Sequence, residues 1–349
     1  MRASRSARFT RKAHMKVACI SNRLPRVRVF LGGIVIVIAA CAATHANAQT
    51  AWKPERTVEV VVFAAPGGGN DKSARMMHKI WQETKLLDAI ITNKVGGGGS
   101  LAYTYVSQKT GDAHHIAIAQ AGLVTNHITG RSPLHYNDLT PLSFVGSEPV
   151  ALAVRADSPY KTLKDFVEQM RKDPASLSIS VGSTRGAINH FTVARLAKAA
   201  GIDPRQLKIL VFGGGAESVT NLLGGHIDAM VQAVNNAIPH HKAGKMRILG
   251  LSTPRRSPGI PDAPTIREQG YDVVMEGWTI FVGPKGMSPA QVAYWENTLQ
   301  KTVQHDYWKS YLESNAWEWG YRNAQETLAY LKKDYEQSRA LLVELGMAK

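Results

Sequence analysis

The sequence predicts an α/β protein whose mostly parallel sheets are flanked by helices. Three observations support this class. Short β-branched strands alternate with helical patterns, the strands are apolar at nearly every position, and glycine-rich loops stand where a strand gives way to a helix. The 349 residues are enough to bury a large core, and two domains fit this length.

The elements follow from the spacing of apolar residues along the chain. Strands are predicted at residues 58–63, 89–95, 115–119, 150–154, 177–181, 208–212, 227–231, 247–251 and 273–282. Helices are predicted at residues 71–85, 121–129, 163–172, 187–200, 216–223, 288–303, 308–314 and 324–345. Beyond Pro284 the pattern is all helical.

Two turn-rich stretches divide the chain into domains. Residues 157–160 follow an apolar strand, and the Pro-rich residues 253–264 precede the return to strand character. We therefore predict a middle domain, 156–274, inserted between the two parts of a first domain, 49–155 and 275–349. The chain would cross between the domains twice, and the two crossings would form a hinge.

The first 48 residues have the pattern of a secretory signal peptide. Residues 1–30 contain nine Lys or Arg and no acidic residue, and an apolar run follows at 30–43. The run is shorter than the roughly 20 residues that span a membrane, and it leads to a small-x-small cleavage site ending at Ala48. We predict cleavage after Ala48 and a periplasmic location, with Met15 as an alternative start.

Charge and cysteine content exclude two classes of protein. The formal net charge of +15 falls by nine to +6 without the signal peptide, and the remaining charges are interspersed, which does not fit a nucleic-acid-binding protein. Both cysteines, Cys19 and Cys41, lie in the removed segment, so the mature protein is not a disulfide scaffold. Cys41 also ends a lipoprotein-like box at 38–41, and lipidation there is the alternative to cleavage after Ala48.

Two glycine-rich loops form the predicted binding site. Each follows an apolar strand and leads into a helix, so that free backbone N–H groups and the positive end of a helix dipole meet at one point and can hold an anion. Two such loops, far apart in sequence, indicate two lobes that close on one small anion. The predicted site residues are Pro66, Gly67, Gly68, Gly69, Asn70, Asp71, Gly182, Ser183, Thr184, Arg185, Gly186, Asn189 and His190.

Each loop also has a structural interpretation. The first departs from nucleotide-binding motifs, because Asp71 precedes Lys72 where a Walker loop has glycine, and Lys72 replaces the third glycine of a dinucleotide fingerprint. A tight turn with Asp71 as helix N-cap is its alternative role. In the second loop, Arg185 can clamp a carboxylate through two hydrogen bonds or lie in solvent, and His190 can face the loop or pack.

Other candidate residues give weaker signals. Ser183 lacks the Gly-x-Ser-x-Gly spacing of a hydrolase nucleophile. The adjacent histidine pairs at 114–115 and 240–241 diverge on a strand or a helix, so neither a metal site nor a cofactor is predicted. Glycine runs at 96–100 and 212–215 could also face a cleft, and we interpret both as sharp turns.

In these motifs the chain resembles the Bug family, the periplasmic receptors of tripartite tricarboxylate transporters. The resemblance covers residues 56–346 and rests on the order and spacing of six motifs. They are APGGGND at 65–71, NKVGGGG at 93–99, GSTRGAINH at 182–190, LLGGHID at 222–228, IPHHKAGKMR at 238–247 and PDAPT at 261–265.

The resemblance implies a non-catalytic periplasmic binding protein of the two-domain, Venus-flytrap, type II-like form. It implies that the loops 66–71 and 182–190 grip a small organic di- or tricarboxylate, partly through water. The loaded receptor would then dock on two integral membrane transporter subunits. A monomer is expected separately, because it suits a cleft that must open and close. Arg185 stands where the family commonly has a small or neutral residue, and 187–189 lacks the family's small hydroxyl residues.

Two functions from other classes remain as alternatives. One is a periplasmic serine hydrolase with Ser183 as nucleophile and His190 as base. The other is a sensory receptor that docks on a membrane kinase. The residual charge of +6 favours anionic ligands only weakly.

Overall fold

The computed structural model describes residues 52–349 except Ser183 and Gly213. The predicted signal peptide, the lipoprotein box and the predicted role of Ser183 lie outside the described residues. The strands are β1 Val58–Val62, β2 Ala89–Asn93, β3 His115–Ala119, β4 Leu139–Arg155, β5 Ile179–Ser180, β6 Ile209–Leu210, β7 Ala229–Ala233, β8 Met246–Leu251 and β9 Glu276–Pro284. The helices are α1 Gly69–Thr84, α2 Ser100–Ser107, α3 Gly122–Ile128, α4 Leu163–Lys172, α5 Ile188–Ala199, α6 Gly215–Leu223, α7 Ile238–Lys242, α8 Pro289–Gln304, α9 Asp306–Ser314 and α10 Ala324–Glu344.

The strands form a mixed sheet in the order β2-β1-β3-β9-β4-β7-β5-β6, with β8 paired to β4. β1 pairs in parallel with β2 and β3, and β5 pairs in parallel with β6 and β7. These pairs are the ones that alternating strands and helices favour. Every antiparallel pair involves β4 or β9: β9 lies between β3 and β4 and pairs with both, and β4 also pairs with β7 and β8.

β4 is the strand that connects the two sections of the sheet. Its first part, from Leu139 to Pro149, pairs with β9, and its second part, from Val150 to Arg155, pairs with β7 and β8. Bulges between Pro141 and Ser143 and between Phe144 and Gly146 accommodate residues that a regular strand disfavours. Because proline and glycine are unfavourable in a regular strand, the sequence pattern predicts β4 to begin only at residue 150. The strand begins at Leu139, so that prediction is wrong.

The hydrophobic core consists of four clusters that follow the two sections of the sheet. Two lie along β1, β3 and β9 and include four fully buried tryptophans, and the other two lie along β5, β7 and β8. Two of the indoles also have hydrogen-bond partners: Trp81 donates to Thr302 Oγ1 at 2.7 Å and Trp295 to the Ala113 carbonyl at 3.1 Å. These bonds remove the cost of burying an indole N–H without a partner, and they fix α8 against α1 and β3.

The described part of the chain contains neither a membrane-spanning helix nor a metal-binding cluster. No helix in that part is long and apolar enough to cross a membrane. No group of three or more His, Cys, Asp or Glu side chains there is placed to hold a metal ion.

Candidate functional site

The first glycine loop opens directly onto α1. Gly68 is the N-cap and makes no side-chain capping bond, and the first intrahelical bond runs from the Lys72 N–H to the Gly68 carbonyl at 2.9 Å. The N–H groups of Gly69 and Asn70 therefore precede the helical hydrogen-bond ladder. A Cβ at Gly67 or Gly69 would meet no atom within 4 Å, so a ligand can approach this backbone closely.

The buried side chain of Asp71 stabilises this loop through hydrogen bonds. Its side chain is buried, and its Oδ2 accepts from the Gly67 N–H at 2.8 Å and from Arg75 Nε at 2.9 Å, while Oδ1 accepts from Asn93 Nδ2 at 2.8 Å. Burial alone would raise the pKa of Asp71, but the bonds from Arg75, Gly67 and Asn93 outweigh it and lower that pKa. Asp71 is the third residue of α1 and Gly68 is the N-cap, so the alternative role of Asp71 as N-cap is wrong.

A cavity of about 500 Å³ lies in front of this loop. Backbone and side-chain donors from four parts of the chain surround it, and its volume suits a small organic molecule. The lining residues are Gly67, Gly68, Gly69, Asn70, Lys72, Glu148, Gly214, Gly215, Ala216, Ala233, Asn235, Asn236, Tyr311 and Asn315.

A second helix begins at the same cavity. α6 starts at Gly215 after the N-cap Gly214, without a side-chain cap, and its first intrahelical bond runs from Ser218 to Gly214 at 3.2 Å. The N–H groups of Gly215 and Ala216 are therefore free of the helical ladder. The N-termini of α1 and α6, the positive ends of their helix dipoles, therefore both line the cavity, and this arrangement favours a bound anion.

The interpretation of the glycine run 212–215 as a simple sharp turn is therefore incomplete, since Gly214 and Gly215 line the cavity. A Cβ at Gly215 would lie 2.5 Å from Asn236 Oδ1, so any larger residue would displace either the Asn236 side chain or the start of the helix. The available signal was the likeness of this run to the first loop, since both are glycines between a strand and a helix.

Of the predicted first loop, Gly67, Gly68, Gly69 and Asn70 line the cavity, while Pro66 is exposed outside its lining. Lys72, the fourth residue of α1, is the one lysine among the described lining residues. Asn70 Nδ2 donates to Gln120 Oε1 at 3.1 Å, and its Oδ1 is buried without a hydrogen-bond partner.

The second predicted loop lies beside this cavity. None of its described residues is in the lining, and several of its polar groups are satisfied within the protein. The Gly186 N–H donates to His190 Nδ1 at 3.0 Å, and Arg185 Nη2 donates to the Ile209 carbonyl at 2.7 Å. Arg131 donates to Thr184 Oγ1 at 2.6 Å and to the Arg185 carbonyl at 3.0 Å.

The His190 side chain is buried, and its ring also accepts a hydrogen bond from the second loop. Burial, together with the charge of Arg185, lowers the pKa of His190 to about 4, so the ring is neutral at physiological pH. Because Nδ1 accepts from Gly186, the ring proton resides on Nε2.

A buried chain of hydrogen bonds links the second loop to α6. Asn189 Nδ2 donates to Gln232 Oε1 at 3.3 Å, and Gln232 Nε2 donates to Ser218 Oγ at 2.9 Å. Ser218 Oγ lies 3.1 Å from the Gly214 carbonyl and 2.7 Å from Ser180 Oγ. The chain therefore connects residue 189 of the loop to the N-cap of the helix that lines the cavity. Gly182, at φ +85°, packs on both amides of this chain.

Glu148 is the acidic residue among the cavity's described lining residues. Trp317 Nε1 donates to its Oε1 at 3.2 Å. Burial raises the pKa of Glu148 to about 7, with the Trp317 bond acting in the opposite direction. Sequence reasoning missed it, together with Asn235, Asn236, Tyr311 and Asn315, because these are separate residues without a shared motif.

A second cavity of similar size, about 520 Å³, lies against α9 and residues 257–259. Its lining is mostly apolar and includes Trp317 and Trp319. Among the described residues no helix N-terminus opens into it, and Lys309, the cation of its lining, already pairs with Asp306 at 3.1 Å. The polar cavity is therefore the candidate site.

Comparison with known proteins gives a family match. Residues 74–347 match the model of the tripartite tricarboxylate transporter family receptor, TctC. A UPF0065 protein in the gbd 5′ region of Cupriavidus necator is 26% identical over 322 residues, which cover 91% of this chain and 96% of that protein.

Two solved structures share the fold. MatC from Rhodopseudomonas palustris, with bound malate, is 24% identical with a TM-score of 0.71 over 83% of this chain and 100% of that one. An R. palustris protein with adipate is 23% identical with a TM-score of 0.75 over 84% of this chain and 99% of that one. The predicted α/β fold of a periplasmic binding protein is thereby confirmed.

Proposed function

The chain belongs to the tripartite tricarboxylate transporter receptor family, and from this premise we propose that it captures a small organic di- or tricarboxylate in the periplasm. It would deliver this ligand to the two membrane subunits of a transporter of the same type. The observation that carries the proposal is the convergence of the N-termini of α1 and α6 on one cavity. The malate and adipate in the two R. palustris structures belong to the same chemical class.

We propose that one carboxylate of the ligand is held by the N–H groups of Gly69 and Asn70, and another by those of Gly215 and Ala216. Lys72 would add charge at the rim. Charge-assisted hydrogen bonds to oriented backbone donors are the strongest that a neutral backbone can offer.

Gly69 and Asn70 belong to the first predicted domain, 49–155 with 275–349. Gly215 and Ala216 belong to the second, 156–274, so the two groups of donors lie on different lobes. Ligand binding would then favour a closed form, because only that form presents both groups to one molecule.

We propose that the second loop contributes to the site by holding α6 in position. The chain from Asn189 through Gln232 to Ser218 supports this role. Direct contact of Thr184, Arg185 and Gly186 with the ligand stays a prediction.

A binding role also suits the chemistry of His190 better than hydrolysis does. A general base works best when its pKa lies near the operating pH, whereas the pKa of His190 is lowered to about 4. The family is one of receptors, and we propose that the protein is not an enzyme.

The test is a thermal-shift and calorimetric titration of the secreted protein, refolded to remove co-purified ligand. The panel contains succinate, malate, adipate, citrate, acetate and a neutral sugar. A compound at 100 times its dissociation constant should add about 2.7 kcal/mol of stability. Stabilisation by di- or tricarboxylates alone supports the proposal, and stabilisation by the sugar alone contradicts it.

Lys72→Gln tests the location of the site in the same assay. We expect a weaker affinity for whichever carboxylate binds, by about 5- to 10-fold, because a cation near the ligand is removed. The matched control is Lys164→Gln on α4, whose side chain is 80% exposed outside the cavity lining. Equal effects of the two substitutions would remove the polar cavity as the binding site.

A further inference from the structure

We propose that Glu148 binds the ligand as a neutral carboxylic acid, so that a receptor in which Glu148 is ionised takes up one proton with each dicarboxylate. This inference rests on the proposed function. Glu148 would then determine specificity, because it would bind a ligand that places a carboxylate oxygen beside it and not a ligand that places a cation there.

The geometry begins with the position of Glu148 on β4. It lines the same cavity as the first residues of α1 and α6, and these two N-termini attract a negative ligand. A carboxylate placed among them would meet the Glu148 carboxyl group within one small space. Two ionised carboxylates in such a space repel each other, and one proton shared between them removes the repulsion.

The surroundings of Glu148 leave one oxygen for this bond. Trp317 Nε1 occupies Oε1, so Oε2 is the atom that can carry a proton toward the cavity. A neutral carboxyl group donates one hydrogen bond through that proton, which matches a ligand carboxylate and does not match an ammonium group.

The charged and titratable groups around Glu148 come from three elements. Lys72 of α1 and Tyr311 of α9 line the same cavity. Glu276 of β9 pairs with Pro149, the neighbour of Glu148 on β4, so the two glutamate side chains point to opposite faces of the sheet. Burial raises the pKa of Glu148 to about 7, which agrees with a proton on this group when the cavity is empty. Burial first, then the charge of Glu318, raises the pKa of Glu276 to about 7 as well.

The experiment measures dissociation constants of the refolded secreted protein for succinate, malate and adipate at pH 6 and pH 8. Because the second carboxyl group of these acids is not fully ionised at pH 6, each dissociation constant is calculated for the doubly ionised ligand. If only the neutral form of Glu148 binds, the dissociation constant should rise about tenfold from pH 6 to pH 8. Calorimetry at pH 8 in two buffers of different ionisation enthalpy should count about one proton taken up per ligand.

Variants at two positions isolate the group. Glu148→Gln keeps a donor that cannot ionise, so we expect an affinity near that of the wild-type protein at pH 6, unchanged at pH 8. Glu148→Ala should bind more weakly at both pH values. Glu276→Gln is the matched control, because its carboxyl group is similarly shifted but is not in the cavity lining, and it should keep the wild-type pH dependence.

The outcomes separate the two proposals. A wild-type affinity that is the same at both pH values, or tighter at pH 8, overturns the role of Glu148 and leaves the proposed function intact. The same holds if Glu148→Gln retains the wild-type slope. Failure of every acid to bind at pH 6 overturns the proposed function for dicarboxylates, and this inference with it.

Discussion

At the scale of single residues, the candidate site depends on groups that are not in the cavity lining. Asp71 is buried under the first loop and ties it to α1 and to β2 through Gly67, Arg75 and Asn93. A carboxylate can serve here, close to an anion site, because three donors compensate its charge. The same charge exposed in the cavity would repel the ligand.

Asp71→Asn should therefore destabilise the protein. An amide retains one acceptor and loses the ionic bond to Arg75, so we expect a loss of about 2 kcal/mol in the free energy of unfolding at pH 7. Because the pKa of Asp71 is lowered in the folded state, its contribution is present above its unfolded value of about 3.8 and is lost as the pH falls through the folded value. Urea unfolding at pH 7 and pH 3 measures both effects.

The control for this prediction is Asp272→Asn. That side chain is 84% exposed and pairs with Arg267 at the surface, so its loss should cost less than about 1 kcal/mol. Equal costs for the two substitutions at pH 7 would contradict the role assigned to Asp71.

At the scale of elements, the cavity is built from the beginnings of two helices. α6 is held in place at Gly215, where the backbone lies against Asn236, and at Ser218, where the hydrogen-bond chain from Asn189 ends. Movement of this helix start by even one ångström would misplace the N–H groups of Gly215 and Ala216.

Gly215→Ala should abolish or strongly weaken carboxylate binding while the fold is retained. The new Cβ would lie 2.5 Å from Asn236 Oδ1, which forces either the helix start or the Asn236 side chain to shift. We expect at least a tenfold loss of affinity in the calorimetric titration. Gly224→Ala, at the other end of α6, is the control and should bind as the wild-type protein does, because its Cβ would meet chiefly the mobile end of His226.

The sequence predicts elements well where one pattern dominates. β3 and α4 have the predicted bounds, because β-branched residues and a capping Thr162 mark them clearly. α2 was missed since it follows four glycines and is rich in aromatic and β-branched residues, which favour helices weakly.

The site could be predicted only in part. The first loop has a local signature, but Glu148 and Tyr311 are brought to it by pairing and packing over long sequence distances. No spacing along the chain encodes such contacts.

At the scale of the whole molecule, β4 and β9 run side by side through the middle of the sheet. Long antiparallel pairing resists sliding of one strand past the other, because every ladder bond would break together. We therefore expect any closing motion of the proposed lobes to be a bend or twist of these strands rather than a shear.

The mature chain should begin at Gln49. Intact-mass measurement of the protein released from the periplasm checks this prediction, since cleavage after Ala48 leaves residues 49–349. A heavier, membrane-associated product that begins at Cys41 would instead establish the lipoprotein alternative.

The place of β9 in the sheet has a further consequence for how the protein is made. β3 pairs with β9 through Ala117 and Val282, and β4 pairs with the same strand, so the first section of the sheet is completed only after residue 284 has been synthesised. Contacts that span such sequence distances form late and slowly. In a nascent chain of this topology the first section of the sheet stays incomplete for most of translation, and a chain that is not yet fully folded is the form that can pass through a membrane pore.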